Sequence, residues 1–417
     1  MDSFSRIILA QQTKDPSEKI SILYEVLDDP SSGCWALRAK EQAIIHLAEQ
    51  FMEDNWAVDL YSLLTHLRSF FSLIPKAQTA NVMRNIIDSV GAIPGSSDLE
   101  ITICKEMVQW TRAERRTFLR QRLEARLAAL LVEYEEYSEA LTLLNGLVKE
   151  VIRLDDKLLL IDVHLLESKL HFSLRNFQKA KAALIAARTA ANAVYVPPVD
   201  QFSIDFQGGI LHAEDKDYNT AYRYFFEAFK SFSALDKKDP NVVLSLKYML
   251  LCKIMVGQAH HVAGIISHEA GPKYVGPDLA VMKIVADAVC RRSLKLFKIV
   301  LRNYKPQLEE DPIVHRHLSF LHGDILEHNL CRLIEPFSRV EIVHVSELIG
   351  LPVDDVERKL SQMILDKKLG GTLDQSGCLV IFDDPKTDAL YTSTFQTISN
   401  IGKVVDSLYA RSAKIIA

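Results

Sequence analysis

The sequence predicts a mostly α-helical protein: a right-handed, tetratricopeptide-like helical-repeat solenoid, then a winged-helix module, then one long terminal helix. The first observation is a repeat. An aromatic residue stands three positions before an alanine at Tyr137, Phe177 and Tyr218, at nearly equal intervals along the chain. In stacked helix–turn–helix arrays such an aromatic packs at the turn, and the alanine lets two helices approach closely. The second observation is a change of pattern near residue 333, where two short helices precede a β-hairpin.

The composition is that of a folded, helix-rich chain of 417 residues, with 48% apolar and 25% charged residues but only 16 glycines and 14 prolines. The formal net charge of −5 gives no overall basic field for nucleic acid. No apolar run approaches the roughly 20 residues that a membrane-spanning helix needs, so we expect no membrane partner. The six cysteines form no C-x-x-C pair, which indicates free thiols in a reducing compartment, and we expect a cytoplasmic and nuclear protein.

The repeat extends towards the N-terminus with weaker signals. Trp56 lies two steps of the repeat before Tyr137, and Pro16 lies one further step before Trp56. The step between Trp56 and Tyr137, near Ser97, has no aromatic residue, so the repeat there is either degenerate or centred on another position. These spacings predict four regions: N-terminal tetratricopeptide-like repeats, a second helical segment, a winged helix and a terminal helix, over residues 1–215, 216–332, 333–384 and 385–417.

The winged-helix prediction depends on local signals. Ser338-x-x-Glu341 has the spacing of a capping box, which predicts a helix that ends before Gly350. A second helix is predicted over residues 353–368, followed by a hairpin around a turn at residues 375–377. We expect its second strand to offer a free edge to a partner protein through five residues: Cys378, Leu379, Val380, Ile381 and Phe382.

The terminal helix, predicted over residues 386–414, carries apolar residues at seven-residue intervals. This spacing produces a stripe along one face of a helix, which favours packing in a helical bundle with partner helices. The alternative is that the helix folds back on its own array. The stripe residues proposed for the bundle are Tyr391, Ile398, Ile401, Val405 and Leu408.

Enzymatic chemistry finds little support in the sequence. His315-Arg316-His317 has the H-x-H start of a metalloisopeptidase motif, but the serine and the aspartate expected eight and eleven positions after the second histidine are replaced by Ile325 and His328. A ligand set without its carboxylate does not hold a catalytic zinc. We therefore predict no catalytic, cofactor-binding or metal-binding residues, and no cofactor.

A winged helix raises the question of DNA binding. The charges of the would-be recognition helix, residues 353–368, sum to zero, and its acidic residues crowd the first turn, which argues against nucleic acid as a partner. One basic stretch remains, and it is either a solvated helix face or an electrostatic contact with an acidic protein. Its arginines are Arg112, Arg115, Arg116, Arg120, Arg122 and Arg126.

A helical array followed by a winged helix is the plan of PCI-domain proteins, the scaffolds of the proteasome lid, the COP9 signalosome and a translation initiation factor. Three segments of the second half of the chain resemble lid subunits of the 26S proteasome more closely than they resemble other PCI proteins. They are residues 245–255 (SLKYMLLCKIM), 335–340 (EPFSRV) and 356–368 (VERKLSQMILDKK), supported by residues 190–198 and 403–409.

This resemblance implies a non-catalytic scaffold within a hetero-oligomer. Its expected partners are other PCI and MPN subunits of the lid, together with the ATPase ring and the α-ring of the proteasome core. The array would brace the lid against those rings, and the subunit would be needed for assembly and for ATP-dependent degradation of ubiquitinated proteins. A PCI scaffold of the COP9 signalosome or of a translation initiation complex is the alternative.

Overall fold

A computed structural model describes residues 3–13, 15–27, 29, 34–68, 70–72, 76–93, 95–235, 240–267, 276–309, 311–374, 378–381 and 389–416. The chain divides into two compact units, Met1–Val256 and Gly257–Ala417. The described residues of the first unit form helices joined by short turns, with no strand among them. The second contains helices and one small sheet.

The first unit contains, in chain order, α1 (Ser3–Gln12), α2 (Pro16–Leu27), α3 (Cys34–Glu53), α4 (Ala57–His66), α5 (Lys76–Ala92), α6 (Ser97–Ala113), α7 (Thr117–Glu133), α8 (Tyr137–Leu154), α9 (Lys157–Ser173), α10 (Phe177–Ala191), α11 (Pro198–Glu214), α12 (Tyr218–Leu235) and α13 (Pro240–Met255). From α5 to α13 each helix packs on the next one, and α9 also packs on α7 and α11. Contacts between successive and alternate helices are those of a stacked two-layer array. The predicted helical-repeat solenoid is confirmed.

The predicted alanines lie in the interior of this array. Ala140, Ala180 and Ala221 are fully buried. The aromatic residues three positions earlier, Tyr137 and Phe177 among them, are the first residues of their helices and are half-buried at the turns. A small side chain at this point lets neighbouring helices pack without a void or a clash.

The turns between helices recur at half the interval that separates the aromatic residues. Five residues with a left-handed backbone recur at even spacing, one after each of the helices α5 to α9: Gly95, Arg115, Glu135, Asp155 and Arg175. After three of these turns the next amide donates to the carbonyl five residues back, as Glu136 N does to Leu131 O at 2.9 Å. This bond closes the helix in the Schellman arrangement.

The backbone also locates the repeat near Ser97, which the sequence suggested was either degenerate or centred on another position. Ser97 begins α6 two residues after the left-handed Gly95, the same placement as Tyr137 after Glu135. The buried Ser96 hydroxyl donates to the carbonyls of Val90 and Ile93. These hydrogen bonds fix the turn without an aromatic side chain, so the repeat is intact.

The second unit contains α14 (Val262–Ile265), α15 (Pro277–Cys290), α16 (Leu294–Asn303), α17 (Lys305–Glu309), α18 (Pro312–Ile334), β1 (Arg339–Glu341), α19 (Ile342–Ile349), α20 (Val353–Leu365), β2 (Gly371–Leu373), β3 (Cys378–Ile381) and α21 (Ala389–Ile416). The strands form an antiparallel sheet in the order β1-β3-β2. Two helices beside a small sheet form the predicted winged helix.

The capping-box prediction at Ser338 is wrong. The residues between Ser338 and Ile342 form β1, and α19 begins only at Ile342. Glu341 precedes the helix with an extended backbone and no side-chain cap. The strand forms because Val340 pairs with Leu379 of β3 and is buried beside it, and this tertiary pairing outweighs the local capping signal.

Candidate functional site: interaction surfaces

The wing of the winged helix does not present the edge that the sequence predicted. The strand formed by Cys378, Leu379, Val380 and Ile381 is the central strand, paired with β1 on one side and β2 on the other. Leu379 is fully buried. The prediction of a free edge is therefore wrong for these four residues, and Phe382 lies outside the described residues. The edges of this sheet are β1 and β2.

The terminal helix α21 spans 28 residues, and each of its side chains from Ser393 to Ser412 is exposed. Its apolar residues are open to solvent over more than half of their surface, for example Ile398 at 60% and Leu408 at 57%. Ile401 and Val405 are equally open. The side chain of Tyr391 lies outside the described residues. The bundle face stays a prediction, and so does the alternative of a helix folded back on its own array.

Several arginines of the basic stretch form ion pairs inside the array. Arg112 and Arg120 both approach Glu124, with nitrogen–oxygen distances of 3.2 and 3.6 Å, and Arg120 also pairs with Glu150 of α8. Arg126 pairs with the buried Glu100 of α6 at 3.0 Å. Each of these three carboxylates binds an arginine of another helix, since Arg112 belongs to α6 and Glu124 to α7.

Arg116 is also engaged within the unit. Its Nη2 donates to the carbonyl of Phe71 at 2.9 Å, and its guanidinium lies 5.0 Å from the centre of the Trp110 ring. Arg115 and Arg122 are exposed and form no ion pair with a described residue. The structure thus divides the basic stretch into four arginines that join helices and two that face solvent.

The two histidines of the H-x-H motif lie in different environments. His315 is exposed, whereas His317 is 2% exposed, and burial with the nearby Arg316 lowers the pKa of His317 to about 4. Within the described part of the chain, no three His, Cys, Asp or Glu side chains are grouped to hold a metal. None of the described helices is both long and apolar enough to cross a membrane.

The cations of the would-be recognition helix α20 and of the residues after it form ion pairs within the second unit. Lys359 Nζ lies 2.8 Å from Glu327 of α18, which also accepts from Lys368. Arg358 pairs with Asp355 on the same helix at 3.3 Å. Ion pairs that already satisfy these cations leave less charge for phosphate groups.

Comparison with known proteins agrees with this architecture. Residues 7–134 match the family model of the 26S proteasome regulatory subunit RPN6 N-terminal domain. Residues 301–384 match the PCI domain, and residues 387–413 match the 26S proteasome subunit RPN6 C-terminal helix domain. The three matches follow the order of array, winged helix and terminal helix.

Full-length relatives give the same result. The chain is 70% identical to the 26S proteasome non-ATPase regulatory subunit 11 homolog of Arabidopsis thaliana over 402 residues, 96% of each chain. It is 42% identical to the probable 26S proteasome regulatory subunit rpn6 of Schizosaccharomyces pombe over 100% of both chains. Identity to the Saccharomyces cerevisiae regulatory subunit RPN6 is 37%, over 98% of this chain and 94% of the relative. The resemblance to this family is confirmed, and the chain belongs to the RPN6, or non-ATPase regulatory subunit 11, family of 26S proteasome subunits.

Proposed function

We propose that this protein is a non-catalytic scaffold subunit of the lid in the 26S proteasome regulatory particle. Membership in a family whose members are named non-ATPase regulatory subunits supports this role. The fold supports it too, because the described residues form an array and a PCI module, the architecture of an interaction scaffold. We further propose that the protein works in the cytoplasm and the nucleus.

The exposure of α21 is the observation that carries the proposal. A helix of 28 residues that leaves its apolar stripe in water gains little from folding alone, because most helical stability in proteins comes from packing an apolar face. Each of Ile398, Ile401, Val405 and Leu408 would contribute about 1.5–3 kcal/mol if a partner helix buried it. Seven-residue spacing is the pattern that helical bundles use.

The proposed partners are the PCI and MPN subunits of the lid, which would contribute the other helices of the bundle. The array would contact the ATPase ring and the α-ring of the core and so brace the lid against them. Loss of these contacts would impair assembly and, with it, ATP-dependent degradation of ubiquitinated proteins.

An assembly assay with matched variants tests the role of α21. We expect Ile398→Asp combined with Leu408→Asp to prevent incorporation into the lid, because two carboxylates would be placed in the apolar centre of the bundle. Ser399→Asp combined with Asn400→Asp adds the same charge to the other side of the helix and should leave incorporation unchanged. The measurement is native gel electrophoresis of co-expressed lid subunits, with each band identified by mass spectrometry. Equal incorporation of both double variants would refute the bundle.

A degradation assay tests the wider function. Particles reconstituted without this chain should lose turnover of a ubiquitinated substrate, and the wild-type protein should restore it. A hydrolytic activity of the purified chain itself towards ubiquitin conjugates would contradict a scaffold role.

A further inference from the structure

One surface of the array is not explained by the scaffold role. Three adjoining cavities, of about 460, 150 and 550 Å³, lie along the face built by α5, α7, α9 and α11. Arg122 borders all three, and Arg84 borders two. Shared lining residues make the cavities one continuous groove within the first unit.

The groove is basic at the end formed by α5 and α7. Arg84, Arg115 and Arg122 are exposed there and form no ion pair with a described residue, and Asp88 is the carboxylate that accompanies them. Guanidinium groups without an internal ion pair remain available for carboxylates of another molecule. The nearby Arg126 differs, because it is paired with Glu100.

The other end of the groove has mixed charge, because Lys169 of α9 lies there beside two aspartates. Asp162 of α9 and Asp200 of α11 line the largest cavity. The crowded walls of the groove desolvate the Asp162 carboxyl, and together with Asp200 they raise the pKa of Asp162 to about 6, although its side chain remains reachable by water. A ligand with negative charge along its whole length would therefore meet two carboxylates at this end, whereas the end formed by α5 and α7 offers it mainly cations.

Apolar side chains complete the surface. Phe118, which is 64% exposed, lines the cavity beside Arg115, and the exposed Leu158 lines the cavity beside Asp162. Helices packed about 9 Å apart place four helices across roughly 30 Å, the length of about nine residues of extended chain. The groove therefore combines cations, apolar anchors and the length of a short peptide.

We propose that this groove binds an extended acidic segment of a partner polypeptide, with carboxylates on Arg84, Arg115 and Arg122 and an apolar side chain on Phe118. A polypeptide fits better than a nucleic acid, because a peptide can place neutral or basic residues beside Asp162 and Asp200 whereas a phosphate backbone cannot. This site is separate from α21 and does not require incorporation into the lid, so each can fail without the other.

The test is a titration of the full-length chain with a fluorescein-labelled peptide of four glutamates and two leucines, followed by fluorescence anisotropy. A comparison peptide carries glutamine in place of glutamate. We expect saturable binding of the glutamate peptide that weakens with added salt, and at least about tenfold weaker binding of the glutamine peptide. Equal binding of both peptides, or no saturable binding of either, would overturn the proposal.

Matched variants locate the site. Arg84→Glu combined with Arg122→Glu should weaken binding at least about tenfold, whereas Arg153→Glu combined with Arg175→Glu, exposed and outside the groove, should change it less than about twofold. Thermal melting checks that each variant folds. If the first double variant melts early, Arg122→Ala carries the same test, because Arg122 makes no ion pair with a described residue that its loss would break. Equal losses in both double variants, or tighter binding of single-stranded RNA than of the glutamate peptide, would contradict the peptide groove.

Discussion

Arg126 of α7 donates two hydrogen bonds to one carboxylate oxygen of Glu100 on α6, from Nε at 3.1 Å and from Nη2 at 3.0 Å. The Glu100 side chain is only 4% exposed. Gly91 of α5 makes room for the pair, because a Cβ there would lie 3.0 Å from Glu100 Oε2 and 3.2 Å from Arg126 Nη2. The ion pair thus joins α6 to α7, and α5 packs closely against it at Gly91.

Removal of the arginine should leave the Glu100 carboxylate buried and without its ion partner. We expect Arg126→Met to lower the free energy of unfolding by about 2–3 kcal/mol, below the value for fully buried pairs because Arg126 is partly exposed. Urea denaturation followed by circular dichroism measures the change. Arg122→Met on the same helix, which removes no ion pair with a described residue, is the control and should alter stability by less than about 0.5 kcal/mol. Similar losses in the two variants would show that the pair adds no stability.

Two adjacent glycines of α11 offer a second test. A Cβ at Gly209 would lie 2.6 Å from a carbon of the Phe225 ring, which is fully buried in α12, whereas a Cβ at Gly208 would have its nearest neighbour, Arg188 Nη2, at 3.4 Å. We expect Gly209→Ala to destabilise the chain by about 1–3 kcal/mol through overpacking. Gly208→Ala should be neutral or stabilising by up to about 1 kcal/mol, because alanine favours a helix. Calorimetric melting of both variants decides the matter, and equal melting temperatures would refute the close contact.

The repeat was predictable from sequence where side chains carry the signal. Tyr137 and Ala140 mark one turn because an aromatic and a small residue are both needed there. The turn at Arg115 carries no such mark, because Thr117 and Arg120 occupy the positions where the marked turns have the aromatic residue and the alanine. Trp56 placed the start of its helix one residue too early, since the helix after that turn begins at Ala57.

The surfaces were harder to predict, because they depend on contacts between residues far apart in the chain. The six arginines form a continuous basic patch in the sequence, where Glu100 and Glu150 are remote from the arginines that they bind. Folding places these two carboxylates against Arg126 and Arg120, so the patch is partly neutralised. Likewise β1 is a strand of three residues, too short to show an alternating pattern, and it alone turns β3 from an edge strand into the central one.

Acid should destabilise the second unit through His317. Burial, with Arg316 nearby, lowers the pKa of this imidazole to about 4, whereas in the unfolded chain it is near 6.5. The contribution of the neutral histidine is therefore fully present above about pH 6.5 and is lost as pH falls towards 4, because the unfolded state then binds the proton first. A difference of this size corresponds to at most about 3.4 kcal/mol.

The variant His317→Gln isolates this effect, because glutamine does not titrate. We expect the urea midpoint of the wild-type protein to fall between pH 7.5 and pH 5, and we expect a smaller fall in His317→Gln. His315→Gln removes an exposed histidine two residues away and should keep the wild-type dependence on pH. Since burial also lowers the pKa of His171, His212 and His322, a residual fall in every variant is expected. Only a difference between the two glutamine variants assigns the effect to His317, and parallel curves for both would show that its burial does not control the acid stability of the fold.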